Sequence, residues 1–243
     1  MPLTLPRIFS EMMSLRRLPR VEVDLMYSRT AENDPFYASL TRQFHQESTA
    51  RHRRYWVIPQ FGVGVALCQL PEKYDTYFMD IEAAGRRNCK KAMRLGYEFR
   101  RIDHNAHLEE IAEIRKSKEI RQGQMSEEFL QAPVGPAHNP PARCRCHDYP
   151  YFGVLLQGAL RAYAGCFICG EVCLLEHIFG HGQYESDGIV PRLYCGIVEY
   201  LLANHPEVRY FAYGSYMGAS ETMRRFKRKF LFLPHNVNWK LES

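Results

Sequence analysis

The order of elements along the sequence predicts an α/β fold: a mixed, mostly antiparallel central sheet flanked by helices on both faces, formed by residues 83–243 behind an N-terminal extension, 1–82. Three observations predict it. Tyr151–Leu156, Leu160–Ile168 and Val172–Phe179 are consecutive strand-like runs, separated only by Gln157-Gly158 and Cys169-Gly170, the length of tight hairpin turns. The apolar period then lengthens, placing Ile189, Leu193, Ile197 and Leu201 at helical spacing. A strand, a helix and a strand follow, and a meander feeding a helix that returns to a further strand gives a mixed sheet covered on its faces.

In the extension, Val21–Tyr27 and Tyr55–Leu70 carry strand-forming residues, Pro35–His45 reads as a helix, and the weak alternation of Tyr74–Ile81 predicts another strand. Met1–Arg20 sets Ile8, Met12 and Leu15 beside Arg16, Arg17 and Arg20, the pattern of a docked terminus or a short amphipathic surface helix. Ala83–Leu95 is rich in helix formers and ends on Gly96, where a left-handed cap is wanted. Tyr97–Ile102 follows as a short strand, and a helix from about Asn105 gathers Leu108, Ile111 and Ile114 on one side. Four prolines and a glycine make residues 132–141 a loop. The helix over 188–204 tolerates Pro191 in its first turn and stops at His205-Pro206. Arg209–Tyr213, Ala219–Phe230 and Val237–Leu241 complete the order, the helix among them turning Met223, Phe226 and Phe230 inward.

A composition of 46% hydrophobic and 24% charged residues excludes a largely disordered chain. No run approaches the roughly 20 apolar residues of a spanning helix, no apolar leader core is visible, and a cytoplasmic setting is the expectation. Eight cysteines among 243 residues do not make a disulfide scaffold. Cys144-x-Cys146-His147 and Cys166-x-x-Cys169-x-x-x-Cys173 contain zinc-type ligands. The second group spans strand, turn and strand, and the first lacks a second ligand pair, so packing roles and no metal are expected. The net charge of +5 is mild, but basic residues cluster at Arg51–Arg54, Arg86–Arg94, Arg115–Arg121 and Arg224–Lys229, as solvated helix faces or as contacts for phosphates.

From Tyr97 to Glu242 the order of elements resembles the GNAT acyltransferase fold. Within it, Arg86-Arg87-Asn88-Cys89-Lys90-Lys91-Ala92 before Gly96-Tyr97, and Phe226-Lys227-Arg228-Lys229-Phe230 before Pro234, are similar to Fem-type aminoacyltransferases. The resemblance implies an N-acyltransferase that moves an acyl or aminoacyl group from an activated donor (acyl-CoA, an acyl carrier or aminoacyl-tRNA) to a primary amine by direct attack. It implies a cleft where Val172–Phe179 splays from Arg209–Tyr213, with Gly188, Ile189, Arg192 and Tyr216 as cofactor-contacting candidates. GNAT enzymes hold the cofactor pyrophosphate on a glycine-rich turn opening a helix, through exposed N–H groups and the helix dipole. That turn is missing from His181–Ile189: Glu185 and Asp187 would repel a pyrophosphate, Pro191 removes a donor, and Ser186 or Asp187 would simply cap the helix. The departure favours a donor other than acetyl-CoA. Arg86, Lys90 and Arg94, four residues apart on one stripe, and Lys227 are the candidate substrate contacts.

Acyl transfer to an amine needs a base, donors for the oxyanion and an acid for the leaving group. Glu176 and His177 lie mid-strand and by alternation face opposite ways. Glu176, sharing a face with Leu174 and Ile178, is a base or an ion-pair partner. His181, just past the strand, is a second candidate base, and Tyr213, beside Gly214, is the candidate acid with Tyr216 as alternative. Two rival readings stand beside this one. A GNAT-like fold without catalysis would serve as a binding or regulatory module; binding of nucleic acid by the basic faces would weaken steeply with salt.

Overall fold

Nine strands form one sheet in the computed structural model, which describes residues 17–31, 34–51, 59–120, 125–216 and 218–242. In chain order they are β1 (Arg20–Asp24), β2 (Val65–Gln69), β3 (Glu98–Ile102), β4 (His147–Asp148), β5 (Tyr151–Leu156), β6 (Ala159–Cys169), β7 (Val172–Gly180), β8 (Tyr210–Ser215) and β9 (Leu233–Lys240). In space the order is β1-β9-β2-β8-β7-β6-β5-β3, with β4 beside β6. The β1–β9 and β7–β8 pairs are parallel and the others antiparallel, so the sheet is mixed and mostly antiparallel, as the order of elements predicted. Two strands of the extension, β1 and β2, lie in the same sheet as those of residues 83–243. The terminal segment carrying Ile8, Met12 and Leu15, and residues 52–58, which include the start of the second strand-like run, lie outside the described residues.

The helices are α1 (Ser28–Ala31), α2 (Pro35–Thr49), α3 (Tyr74–Asp80), α4 (Ala83–Arg94), α5 (Leu108–Lys116), α6 (Glu127–Gln131), α7 (Ile189–Asn204) and α8 (Glu221–Lys229). Alternation along β6 divides the core. Ala162, Ala164, Cys166 and Ile168 pack with α3, α4, α7 and α8, whereas Phe167 and Cys169 pack towards α2 and Tyr163 towards α5. The α7 stripe of Ile189, Leu193, Ile197 and Leu201 is wholly buried, and each such side chain contributes about 1.5–3 kcal/mol. None of the helices among the described residues is long and apolar enough to cross a membrane.

Tyr74–Ile81 is not a strand but the helix α3. Its aromatic and apolar residues fall at i, i+3, i+4 and i+7: Tyr77 and Ile81 are fully buried, and Tyr74 and Phe78 pack against the same core. The helical period outweighs the weak alternation.

Two irregularities shape the centre of the sheet. β7 pairs with β8 at Val172–Tyr210, Cys173–Phe211 and Leu174–Ala212. Beyond these, β7 continues to Gly180 and β8 to Ser215 without pairing to each other. On its other edge β7 carries a bulge: His177 sits opposite Gly165 and Leu175 opposite Cys166, leaving Glu176 as the extra residue. A bulge bends its strand and re-aims the following side chains. Glu176 and His177 therefore do not face opposite ways. Glu176 accepts a hydrogen bond from Tyr149, His177 lies against Gly165 beside Tyr151, and Ile178 turns to the α7 face.

Candidate active site

The gap between the parted ends of β7 and β8 is bordered differently on the two faces of the sheet. On the α7 face stand Tyr213 and Lys227. Ser220 caps α8 by accepting from the Met223 amide (3.2 Å), and the helix then presents Arg225 and Arg228 to solvent, with Arg224 and Lys229 half-buried. Lys227 turns inward and is 4% exposed. Its Nζ donates to the Ser215 carbonyl (2.8 Å) and sits 4.9 Å from the centre of the Tyr213 ring and 5.6 Å from that of Tyr216. No carboxylate pairs with it among the described residues. Burial without a counter-ion pushes the amine down to about 8. Tyr213 and Tyr216 are each 9% exposed, and the Tyr216 hydroxyl donates to the Phe232 carbonyl.

On the opposite face stands Glu176, solvent-accessible in its bulge and hydrogen-bonded by Tyr149. Desolvation by Tyr149's surroundings and then the Glu176 charge hold the Tyr149 hydroxyl well above its usual range, so it remains a donor. His181 does not join this group. It lies five residues beyond Glu176, past the end of β7. Its Nδ1 accepts from the Gln183 amide (3.3 Å), capping the short turn Gly182–Asp187.

The start of α7 is closed. Gly188, in a left-handed conformation (φ 86°), forms the N-cap, and neither Ser186 nor Asp187 caps the helix with its side chain. Asp187 instead accepts from the Tyr97 hydroxyl (2.9 Å) and pairs with Lys91 (3.4 Å). A Cβ at Gly188 would lie 2.2 Å from the Asn88 carbonyl oxygen of α4, and Ile189 is fully buried. Arg192 lies 5.7 Å over the Phe99 ring and 4.0 Å from Glu199. These residues do not fit a pyrophosphate, which needs exposed N–H groups and open space at that end.

The α4 stripe is also rearranged. Arg86 bends back to donate to the Met79 and Ile81 carbonyls at the end of α3. Lys90 and Arg94 remain exposed, and with Arg87 and Met93 they line a shallow groove. Arg86→Ala is therefore expected to cost about 1–2 kcal/mol of stability, read as a lower calorimetric Tm, whereas Lys90→Ala and Arg94→Ala stay within about 0.5 kcal/mol of the parent.

The cysteines pack singly or in pairs, Cys173 against Cys166 among them. Cys144 Sγ lies 3.2 Å from His147 Nδ1, Cys146 Sγ accepts from Arg29 (3.3 Å), and Cys169 is buried against Thr41. No group of three or more His, Cys, Asp or Glu side chains among the described residues stands ready to hold a metal ion.

The sequence matches no protein-family model and no curated protein. Among solved structures, FemX superposes with a TM-score of 0.54 at 10% identity, over 73% of this chain and 60% of FemX. L-PGS from Bacillus licheniformis superposes at 0.44 and 14% identity, over 70% of this chain and 56% of its own. A tandem GNAT protein from the clavulanic acid biosynthesis pathway gives 0.42 and 16%, over 70% and 50%. The chain thus spans less than two thirds of the length of each of the three. The fold is that of the GNAT-like acyltransferases.

Proposed function

On this GNAT-like fold, we propose an enzyme that transfers an acyl or aminoacyl group from an activated donor to a primary amine, in the gap between β7 and β8. The observation that carries the reading is the parting of two parallel strands after three pairings, with a carboxylate on one side and an uncompensated buried amine on the other. A carbonyl seated there meets opposite chemistries from the two faces. The acceptor nitrogen gives its lone pair to the carbonyl carbon and passes a proton to Glu176 as the C–N bond forms. Negative charge on the carbonyl oxygen is met by the Lys227 ammonium. The bond to the leaving thiol or hydroxyl oxygen then breaks, and Tyr213, with Lys227 against its ring, supplies the proton that group needs.

The closed start of α7 supports a donor anchored elsewhere than on that helix. Lys90 and Arg94 with Arg87, exposed cations around a groove, suit the phosphates of a carrier or of tRNA. The same closure favours a second reading, in which the fold has lost catalysis and serves as a binding module. Incubating the protein with acetyl-CoA, longer acyl-CoAs, acyl carrier protein or aminoacyl-tRNA, each with a panel of amines, separates the two. Amide product by mass spectrometry from at least one donor class is expected. Saturable binding of a donor with no amide formed, or no donor binding at all, would leave the module.

A further inference from the structure

The face of the sheet turned away from α7 gathers aromatic rings around Glu176. Tyr149 lies 5.5 Å from Tyr151 and stacks on Phe167 at 6.2 Å, and Tyr151 lies 4.5 Å from His104. Gly165 makes this possible: a Cβ there would come within 3.0 Å of the Tyr151 ring and 3.3 Å of His177, so its absence lets both rings lie across β6. Desolvation, with Arg115 adding to it, holds the His104 and His177 imidazoles below their usual value, although Asn105 and Glu176 respectively oppose the shift. Near neutral pH both enter the cluster as uncharged rings. Arg115 is itself engaged, donating through Nε to the Tyr163 hydroxyl (3.1 Å) and lying 5.1 Å over Phe129. Past Tyr151 the surface opens into a cleft of about 450 Å³ lined by His104, Asn105 and Asn139, where Arg101 is paired with Asp148 at 2.8 Å.

Aromatic faces beside one carboxylate form an environment that attracts an organic cation: the ring quadrupoles and the carboxylate act with the same sign. We propose that Tyr149, Tyr151, Glu176 and His177 form the acceptor site, and that it takes the acceptor as an alkylammonium ion, held against the rings and Glu176 until it gives one proton to bulk water and attacks as the free amine. This rests on the transfer reading above and gives it a substrate class, an amine at the end of an aliphatic chain. It also makes Glu176 serve twice, first as counter-charge and then as base.

Binding can be read without donor or turnover, by titrating n-butylammonium and its neutral counterpart n-butanol while following the tyrosine and histidine resonances by NMR. The amine is expected to bind about 10-fold more tightly than the alcohol. Glu176→Gln is expected to weaken it about 10-fold and Tyr151→Leu about 5-fold, while Tyr149→Phe, which keeps the ring, stays within about 2-fold. Equal binding of amine and alcohol, or amine binding that neither Glu176→Gln nor Tyr151→Leu changes, would overturn the assignment. A protein that binds the amine selectively but transfers nothing would fail the reaction and keep the site; one that transfers without ammonium selectivity would do the reverse.

Discussion

Lys227→Met is expected to make the protein more stable and much less active. The amine is carried from an ordinary 10.5 down to about 8 by burial alone, a shift that corresponds to about 3 kcal/mol of unfavourable charge burial in the folded state at neutral pH. Between about 8 and 10.5 the unfolded chain binds more protons than the folded one, so the parent gains stability as pH rises through that window. Met fills similar volume and carries no charge, but the Ser215 carbonyl loses a donor, which offsets about 1 kcal/mol. The net gain near pH 7 is then about 1–3 kcal/mol, or roughly 2–10 °C in Tm for a chain of this size, shrinking above pH 8. Transfer is expected to fall about 10²–10³-fold, as when a single oxyanion donor is removed. The parent rate should decline as pH rises through about 8, where Lys227 loses its proton, and the variant should lack that limb. Calorimetry and initial rates across pH check both halves. A variant that loses stability and activity together would mark Lys227 as scaffold.

Removal of the base should act through kcat. Glu176→Gln keeps an oxygen to accept from Tyr149 but cannot take a proton, and a fall of about 10²–10⁴-fold in kcat is expected, with stability unchanged within about 0.5 kcal/mol because Glu176 is exposed. Tyr149→Phe leaves the carboxylate in place and removes only its hydrogen bond, so a smaller loss, about 10-fold, is expected. Single-turnover rates with donor and acceptor both saturating separate this from the binding of either. Parent-like kcat in Glu176→Gln would remove the carboxylate from the reaction.

Much of this architecture is written locally. The two short turns at Gln157-Gly158 and Cys169-Gly170 set the meander, and the four-residue apolar spacing of α7 sets the helix that follows. The parting of β7 from β8 was expected only through the resemblance to the GNAT fold. From the sequence Lys227 stands only as a substrate contact; its inward side could have been read from its place four residues after Met223 and three before Phe230. The bulge at Glu176 could not. It arises from the register between β6 and β7, and nothing in Leu174–Ile178 itself marks one residue as surplus, so simple alternation misassigned His177. Tyr149 lies outside any strand and reaches Glu176 because β4 docks on β6 and brings the residue after it across the sheet. Tyr151, His104 and His177 join it through the same tertiary route, with no shared motif in the chain. Arg86 left its stripe because the end of α3 offers two carbonyls within its reach, a partner invisible while Tyr74–Ile81 reads as a strand.

The pairing of β1 with β9 has a consequence for synthesis. Glu22 and Asn238 are hydrogen-bonded at 2.8 Å although 216 residues separate them, and β2 is flanked by β8 and β9, which also come late. At 5–20 residues per second, a ribosome needs about 10–40 s to deliver those neighbours. Throughout that interval Val23, Leu25, Leu67 and Cys68, all essentially inaccessible once folded, have no sheet to join. β1 and β2 therefore stay without their sheet neighbours until β8 and β9 have been made.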